Sequence, residues 1–228
     1  MRDPARWPAS MSFCASPTNT HCDGAQPTND LISRALEATR HAQSVSLADI
    51  SKRMKTPPYY PDIWPGEHYK LLAGLVLALK PTTVIEIGTD RGLSALTMKK
   101  FLPPNGKIVT FDIFAWKSFP DTCLVEKDFE DGRLVQETDD LSDPALVQKH
   151  HELLVNADMI FLDAGKDGIM EERFINNFRS VPFTRNPLLV FDDIRVWNML
   201  KIWRDLPMPK LDLTSFGHWS GTGLVQWQ

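Results

Sequence analysis

The sequence predicts an α/β fold, a doubly wound, mostly parallel β-sheet with helices on both faces. Three observations carry this. Five short apolar runs alternate with helix-length segments, the order of a parallel sheet built from crossover units. The runs are almost continuously apolar, as in strands buried on both faces. At 228 residues and 43% hydrophobic, the chain is large enough for one such domain with a substantial core.

The elements follow in order. Residues 1–28 are rich in Pro, Ser, Thr and Asn without periodicity and read as a disordered or loosely attached tail, with Met11 as an alternative start. Residues 29–65 read as a helical N-terminal extension or lid. Leu31, Ile32, Ala35 and Leu36, then Val45, Leu47 and Ile50, give the helical spacing. The stretch TPPYYPDIWPG (56–66) is a proline-broken connection. The main domain spans 66–228. A helix over 67–80 stops before Pro81. Strands are then expected at 82–88, 107–113, 133–138, 158–164 and 187–193. Helices are expected at 93–102, 144–156, 168–180 and 196–206, with 114–132 left unassigned. KLDLTSF and TGLVQW around GHWSG read as a closing hairpin.

Composition removes several function classes. A net charge of -4 gives no footprint for nucleic acid. Cys14, Cys22 and Cys123 are scattered and form no CxxC pair, so neither a zinc site nor a disulfide scaffold is expected, and a reducing, cytoplasmic setting fits best. No apolar run is long enough to span a bilayer, and the N-terminus lacks the apolar core of a secretory signal, so no membrane association is expected.

Parallel sheets of this kind bind ligands at the C-terminal ends of their strands. That directs attention to Gly88, Asp112, Thr138, Asp163 and Asp192. VIEIGTDRGLS (84–94) runs strand, loop, helix, and its glycines permit a sharp exit and a close backbone approach. The loop matches neither the dinucleotide fingerprint nor a triphosphate loop with its lysine. Asp112 ends the next strand where a ribose diol can be gripped.

EIGTDRGLS followed by VTFD resembles the first two motifs of class I S-adenosylmethionine-dependent methyltransferases. The resemblance implies a seven-stranded Rossmann-like sheet whose last strand inserts antiparallel, as the terminal hairpin would supply. It further implies that Glu86, Gly88, Gly92 and Ser94 line the cofactor site and that Asp112 holds the ribose. Thr138 and Asp139 then fall where adenine is contacted, and Asp163 borders the cofactor.

FLDAGKDG (161–168) and LLVFDDIRVWN (188–198) put three carboxylates on two strand ends that parallel pairing brings together. Such a trio repels unless protonated or neutralised, and a hard divalent cation is one remedy. Asp163, Lys166 and the Asp192–Asp193 pair resemble the pattern of the cation-dependent catechol and caffeoyl-CoA type O-methyltransferases. The resemblance implies that Asp163, Asp192 and Asp193 ligate Mg²⁺, with Mn²⁺ or Ca²⁺ as alternatives, and that Lys166 takes the acceptor's proton. The family carries Asn where this chain has Asp193. Dimers are common in that branch, so a homodimer through the N-terminal helices is one expected assembly.

The acceptor is expected to be a small molecule. Trp197 and Trp219 follow strand ends and are candidates for an aromatic wall against it. Trp203 and Trp227 read as core. His150 and His151 are expected on a helix surface, whereas His68 and His218 are candidate acceptor contacts with turn or packing roles as the alternative. Three rival functions follow. One is a metal-independent methyltransferase with Asp192 or a histidine as base. Another is a cephalosporin-hydroxylase-like relative acting on a sugar or antibiotic. The third is a non-catalytic S-adenosylmethionine-binding protein.

Overall fold

In the computed structural model, which describes residues 25–227, a seven-stranded sheet has the order β3-β2-β1-β4-β5-β7-β6. The strands are β1 (Thr83–Ile87), β2 (Lys107–Phe111), β3 (Leu134–Glu137), β4 (Met159–Leu162), β5 (Leu188–Asp192), β6 (Lys210–Asp212) and β7 (Thr222–Gln226). β1 to β5 pair in parallel, while β7 runs antiparallel between β5 and β6. The helices are α1 (Asn29–Ser44), α2 (Ala48–Ser51), α3 (Tyr69–Leu79), α4 (Leu93–Phe101), α5 (Pro144–Lys149), α6 (His151–Val155), α7 (Ile169–Arg179) and α8 (Met199–Asp205). Among the described residues, no helix is long and apolar enough to cross a membrane.

The period-2 geometry of strands divides their side chains between two cores. Val84, Ile108, Met159, Phe161 and Val190 pack against α1, α3 and α4. Ile85, Val109, Ile160, Leu162, Leu189 and Phe191 pack on the opposite face against α5 to α8. Both faces are covered, which is why these strands read as continuous apolar runs.

The five parallel strands and their connecting helices lie where the sequence places them, with ends shifted by a few residues. The helix expected over 144–156 is divided at His150 into α5 and α6. The last helix starts at Met199 rather than Val196, because Asp193–Val196 forms a turn in which Val196 N–H donates to the Asp193 carbonyl. The unassigned stretch holds two 3₁₀ turns, Trp116–Ser118 and Glu126–Asp128. Residues 1–24 of the expected tail lie outside the described residues, while Thr28 caps α1 and its hydroxyl bonds to Gln226. Trp203 and Trp227 are core residues.

Candidate active site

The strand ends converge as the topology requires. Gly88, Asp112, Thr138 and Asp163 directly follow β1, β2, β3 and β4, and Asp192 is the last residue of β5. Gly88 adopts φ +102°, and a Cβ there would lie 2.0 Å from the Asp163 carbonyl oxygen. The loop after β1 therefore passes against the end of β4 in a way that only glycine permits. Asp112 fastens the loop from the other side. Its Oδ2 accepts from Thr89 N–H (3.0 Å) and Asp90 N–H (3.1 Å), and its Oδ1 accepts from Phe114 N–H (3.0 Å).

A cavity of about 330 Å³ opens above these ends. Gly88, Asp112, Asp139 and Asp163 line it, together with apolar Ile113, Phe114, Leu141 and Phe174. Ile113 and Phe114 are 56% and 57% exposed, large apolar groups left uncovered at the rim. The sequence reading missed them, because residues 113 and 114 lie past the end of β2. Asp139 accepts from Lys149 Nζ (2.5 Å) and pairs with His150 Nε2 (2.6 Å). His150 is thus an inward-facing residue stacked edge-on against Phe111, not the surface residue expected.

The remaining expected cofactor residues stand off the cavity. Thr138 is exposed and Gly92 meets Leu124, whose side chain fills the space a Cβ would take. Glu86 and Ser94 are buried beneath the loop on the α3–α4 side. Among the described residues, neither Glu86 oxygen has a hydrogen-bond partner of normal geometry. Burial raises its carboxyl to about 7, although the Ser94 and Thr110 hydroxyls pull the other way.

The three carboxylates do meet, with Asp163, Asp192 and Asp193 oxygens within 4.8 Å of one another. Lys166 stands among them, its Nζ 2.8 Å from Asp163 Oδ1 and 3.3 Å from Asp193 Oδ2. Burial opposes its charge, but Asp163, Asp192 and Asp193 overcome this and hold the ammonium's pKa well above its usual value. The backbone is bent to put it there. Gly165 and Lys166 take φ +62° and +71°, and Glu171, fully buried on α7, accepts from Lys166 N–H (2.6 Å) and Gly168 N–H (2.9 Å).

Two histidines complete the cluster. His68 Nδ1 lies 3.3 Å and His218 Nδ1 3.2 Å from Asp192. Burial pushes Asp192 up, yet His68 and His218 outweigh it and hold the carboxyl well below the carboxylate range. Asp163 faces the cavity with 28% of its side chain exposed. Partial desolvation and Asp192 raise its pKa while Lys166 opposes. Asp193, at φ +60°, also accepts from the Ser220 hydroxyl. The loops bearing the histidines are joined by a Gly66–His218 bridge, with Gly66 N–H donating to Gly217 and Trp219 N–H to Gly66.

Trp219 touches His218 edge-on and is 71% exposed, while Trp197 is 78% exposed at φ +45°. Both are exposed, and neither lines the cavity.

A family model described as O-methyltransferase matches residues 42–198, more than half of the chain. Among solved structures, an S-adenosylhomocysteine-bound methyltransferase from Podospora anserina is 15% identical over the whole of both chains, with a TM-score of 0.52. A Staphylococcus aureus protein assigned as a caffeoyl-CoA O-methyltransferase is 14% identical, covering 86% of this chain and 100% of its own, with a TM-score of 0.55. These likenesses establish the fold. No curated protein sequence matches the chain.

Proposed function

The chain belongs to the O-methyltransferase family, whose members use S-adenosylmethionine, and from that premise we propose that it methylates a hydroxyl oxygen of a small molecule, with a divalent cation and Lys166 preparing that oxygen. One observation supports this most directly. Asp163 both lines the cofactor-sized cavity and pairs with Lys166, so methyl donor and proton acceptor would meet at one residue.

The cavity suits the cofactor in chemistry as well as size. Asp112 and Asp139 offer carboxylates to ribose and adenine, Phe114 and Leu141 offer apolar cover, and Gly88 lets the backbone approach. Glu86 and Ser94, which the family resemblance assigns to the cofactor, lie buried beneath the loop and off the cavity, so the Glu86 carboxyl would receive the cofactor's ammonium only if the loop adjusts. Asp163, Asp192 and Asp193 fit a hard cation, being oxygen donors within 4.8 Å of one another. When bound, such a cation supplies Lewis-acid polarisation of the acceptor oxygen. With the carboxylate charge neutralised, Lys166 Nζ would release its third proton to solvent and, as a neutral amine, would take the hydroxyl proton of the acceptor as its oxygen gains the methyl group. Trp219, beside His218, offers an exposed aromatic face that a planar acceptor could use.

A second reading, cation-free transfer with a histidine of the same cluster as base, draws on Lys166, whose ammonium pairs with Asp163 and Asp193 and already offsets part of the carboxylate charge. The deciding experiment supplies labelled S-adenosylmethionine and a panel of catechols and other vicinal diols, with Mg²⁺ or with EDTA. Label entering an acceptor only with Mg²⁺ supports the proposal. Equal transfer in EDTA sinks the cation and favours the histidine base.

A further inference from the structure

His68 sits at the base of the site, 4% exposed, and among the described residues neither ring nitrogen has a hydrogen-bond partner. Buried polar side chains are nearly always satisfied, and an exception calls for an explanation such as an ion. Its Nδ1 lies 3.3 Å from Asp192 Oδ1, close but without hydrogen-bond geometry. His218 approaches from the other loop. Its Nδ1 lies 3.2 Å from both Asp192 oxygens, 2.8 Å from Ser220 Oγ and 3.4 Å from Asp193 Oδ1. One ring nitrogen crowded by four oxygens is the surrounding of a shared centre rather than of a single hydrogen bond.

We propose that His68, Asp192 and His218 form a nitrogen-containing subsite for a first-row transition-metal ion, beside the all-oxygen set and sharing Asp192 with it. The inference rests on the cation-assisted reading above only for that second set. Metal–ligand bonds of about 2.0–2.2 Å give ligand-to-ligand edges of roughly 3.0–3.5 Å in octahedral or tetrahedral geometry. The 3.2 and 3.3 Å separations from Asp192 to the two imidazoles have that length. Two imidazoles and a carboxylate suit Mn²⁺, Fe²⁺, Co²⁺ or Zn²⁺, whereas Mg²⁺ prefers oxygen. Glu67 lies 3.9 Å from His218 Nε2, an ion-pair neighbour beyond hydrogen-bond reach. The Gly66–His218 bridge holds the two loops in register. On this side of Asp192 a metal also has no ammonium to displace, since Lys166 pairs with Asp163 and Asp193.

The test titrates Co²⁺ alone into the full chain and follows its visible d–d absorption. The wild type should saturate at one equivalent with a spectrum of nitrogen and oxygen ligation. His218→Ala and His68→Gln should each weaken binding at least tenfold, while Asp163→Asn should leave affinity within about twofold. S-adenosylhomocysteine binding and the unfolding midpoint confirm that each variant folds. If His68→Gln does not fold, the variant His218→Ala, at a partly exposed loop position, carries the test. Binding abolished by Asp163→Asn but untouched by His218→Ala overturns the subsite and leaves the carboxylate site standing. No saturable Co²⁺ binding also overturns it, and the EDTA arm of the methyl-transfer assay then judges the carboxylate site separately.

Discussion

Glu86→Gln tests the cofactor half of the site through stability. Glu86 is fully buried, its oxygens lack hydrogen-bond partners among the described residues, and burial raises its carboxyl to about 7 against an ordinary 4.5. Because the folded-state value is raised, the folded protein keeps a proton that the unfolded chain gives up between those two pH values. Stability from this group is complete below pH 4.5 and is lost as the pH rises through about 7. The difference of 2.5 between about 7 and 4.5 corresponds to roughly 3 kcal/mol. Glutamine is neutral throughout, and any cost of burying its amide is the same at every pH. The stability of Glu86→Gln relative to wild type should therefore rise by roughly 3 kcal/mol from pH 4.5 to pH 8, measured by urea unfolding. Saturating S-adenosylhomocysteine should flatten the wild-type slope, since its ammonium would stabilise the ionised carboxyl. A stability difference that does not grow with pH would refute the reasoning.

Gly88→Ala places a methyl 2.0 Å from the Asp163 carbonyl oxygen at φ +102°, so it should abolish S-adenosylhomocysteine binding in calorimetry and destabilise the fold by about 2–4 kcal/mol. Lys166→Met keeps the buried stem and removes the ammonium; kcat should fall about 10²–10⁴-fold with little change in KM for S-adenosylmethionine. Glu171→Gln weakens the acceptor for Lys166 and Gly168 N–H, which should cost about 1.5–3 kcal/mol in urea unfolding, and wild-type stability would count against it. Trp219→Ala, at a 71% exposed position, should raise KM for the acceptor while changing stability by less than about 0.5 kcal/mol.

The parallel strands were readable because burial on both faces leaves an unbroken apolar run, and the strand-end rule then led to Gly88, Asp112, Asp163 and Asp192. What lies around them was less readable, for physical reasons. His68 and His218 are far apart in the chain and meet only because Gly66 and His218 bridge two loops, a contact without a periodic signature. His150 turns inward because α5 and α6 divide there, which a helical period cannot reveal. Gly92 suggested a ligand approach, yet its close neighbour is Leu124 from the unassigned stretch. Lys166 was visible as a charge three residues past Asp163. Its second partner, Asp193, comes from the turn after β5, and the left-handed backbone that aims it depends on Glu171 in α7.

The most direct test is a crystal structure with S-adenosylhomocysteine bound. The account predicts its ribose on Asp112, its amino-acid end toward Gly88 and Glu86, and its sulfur facing the Asp163–Lys166 pair. A cofactor product lodged elsewhere, or one whose sulfur points away from Lys166, would contradict the assignment of this cluster as the place where the methyl group is transferred.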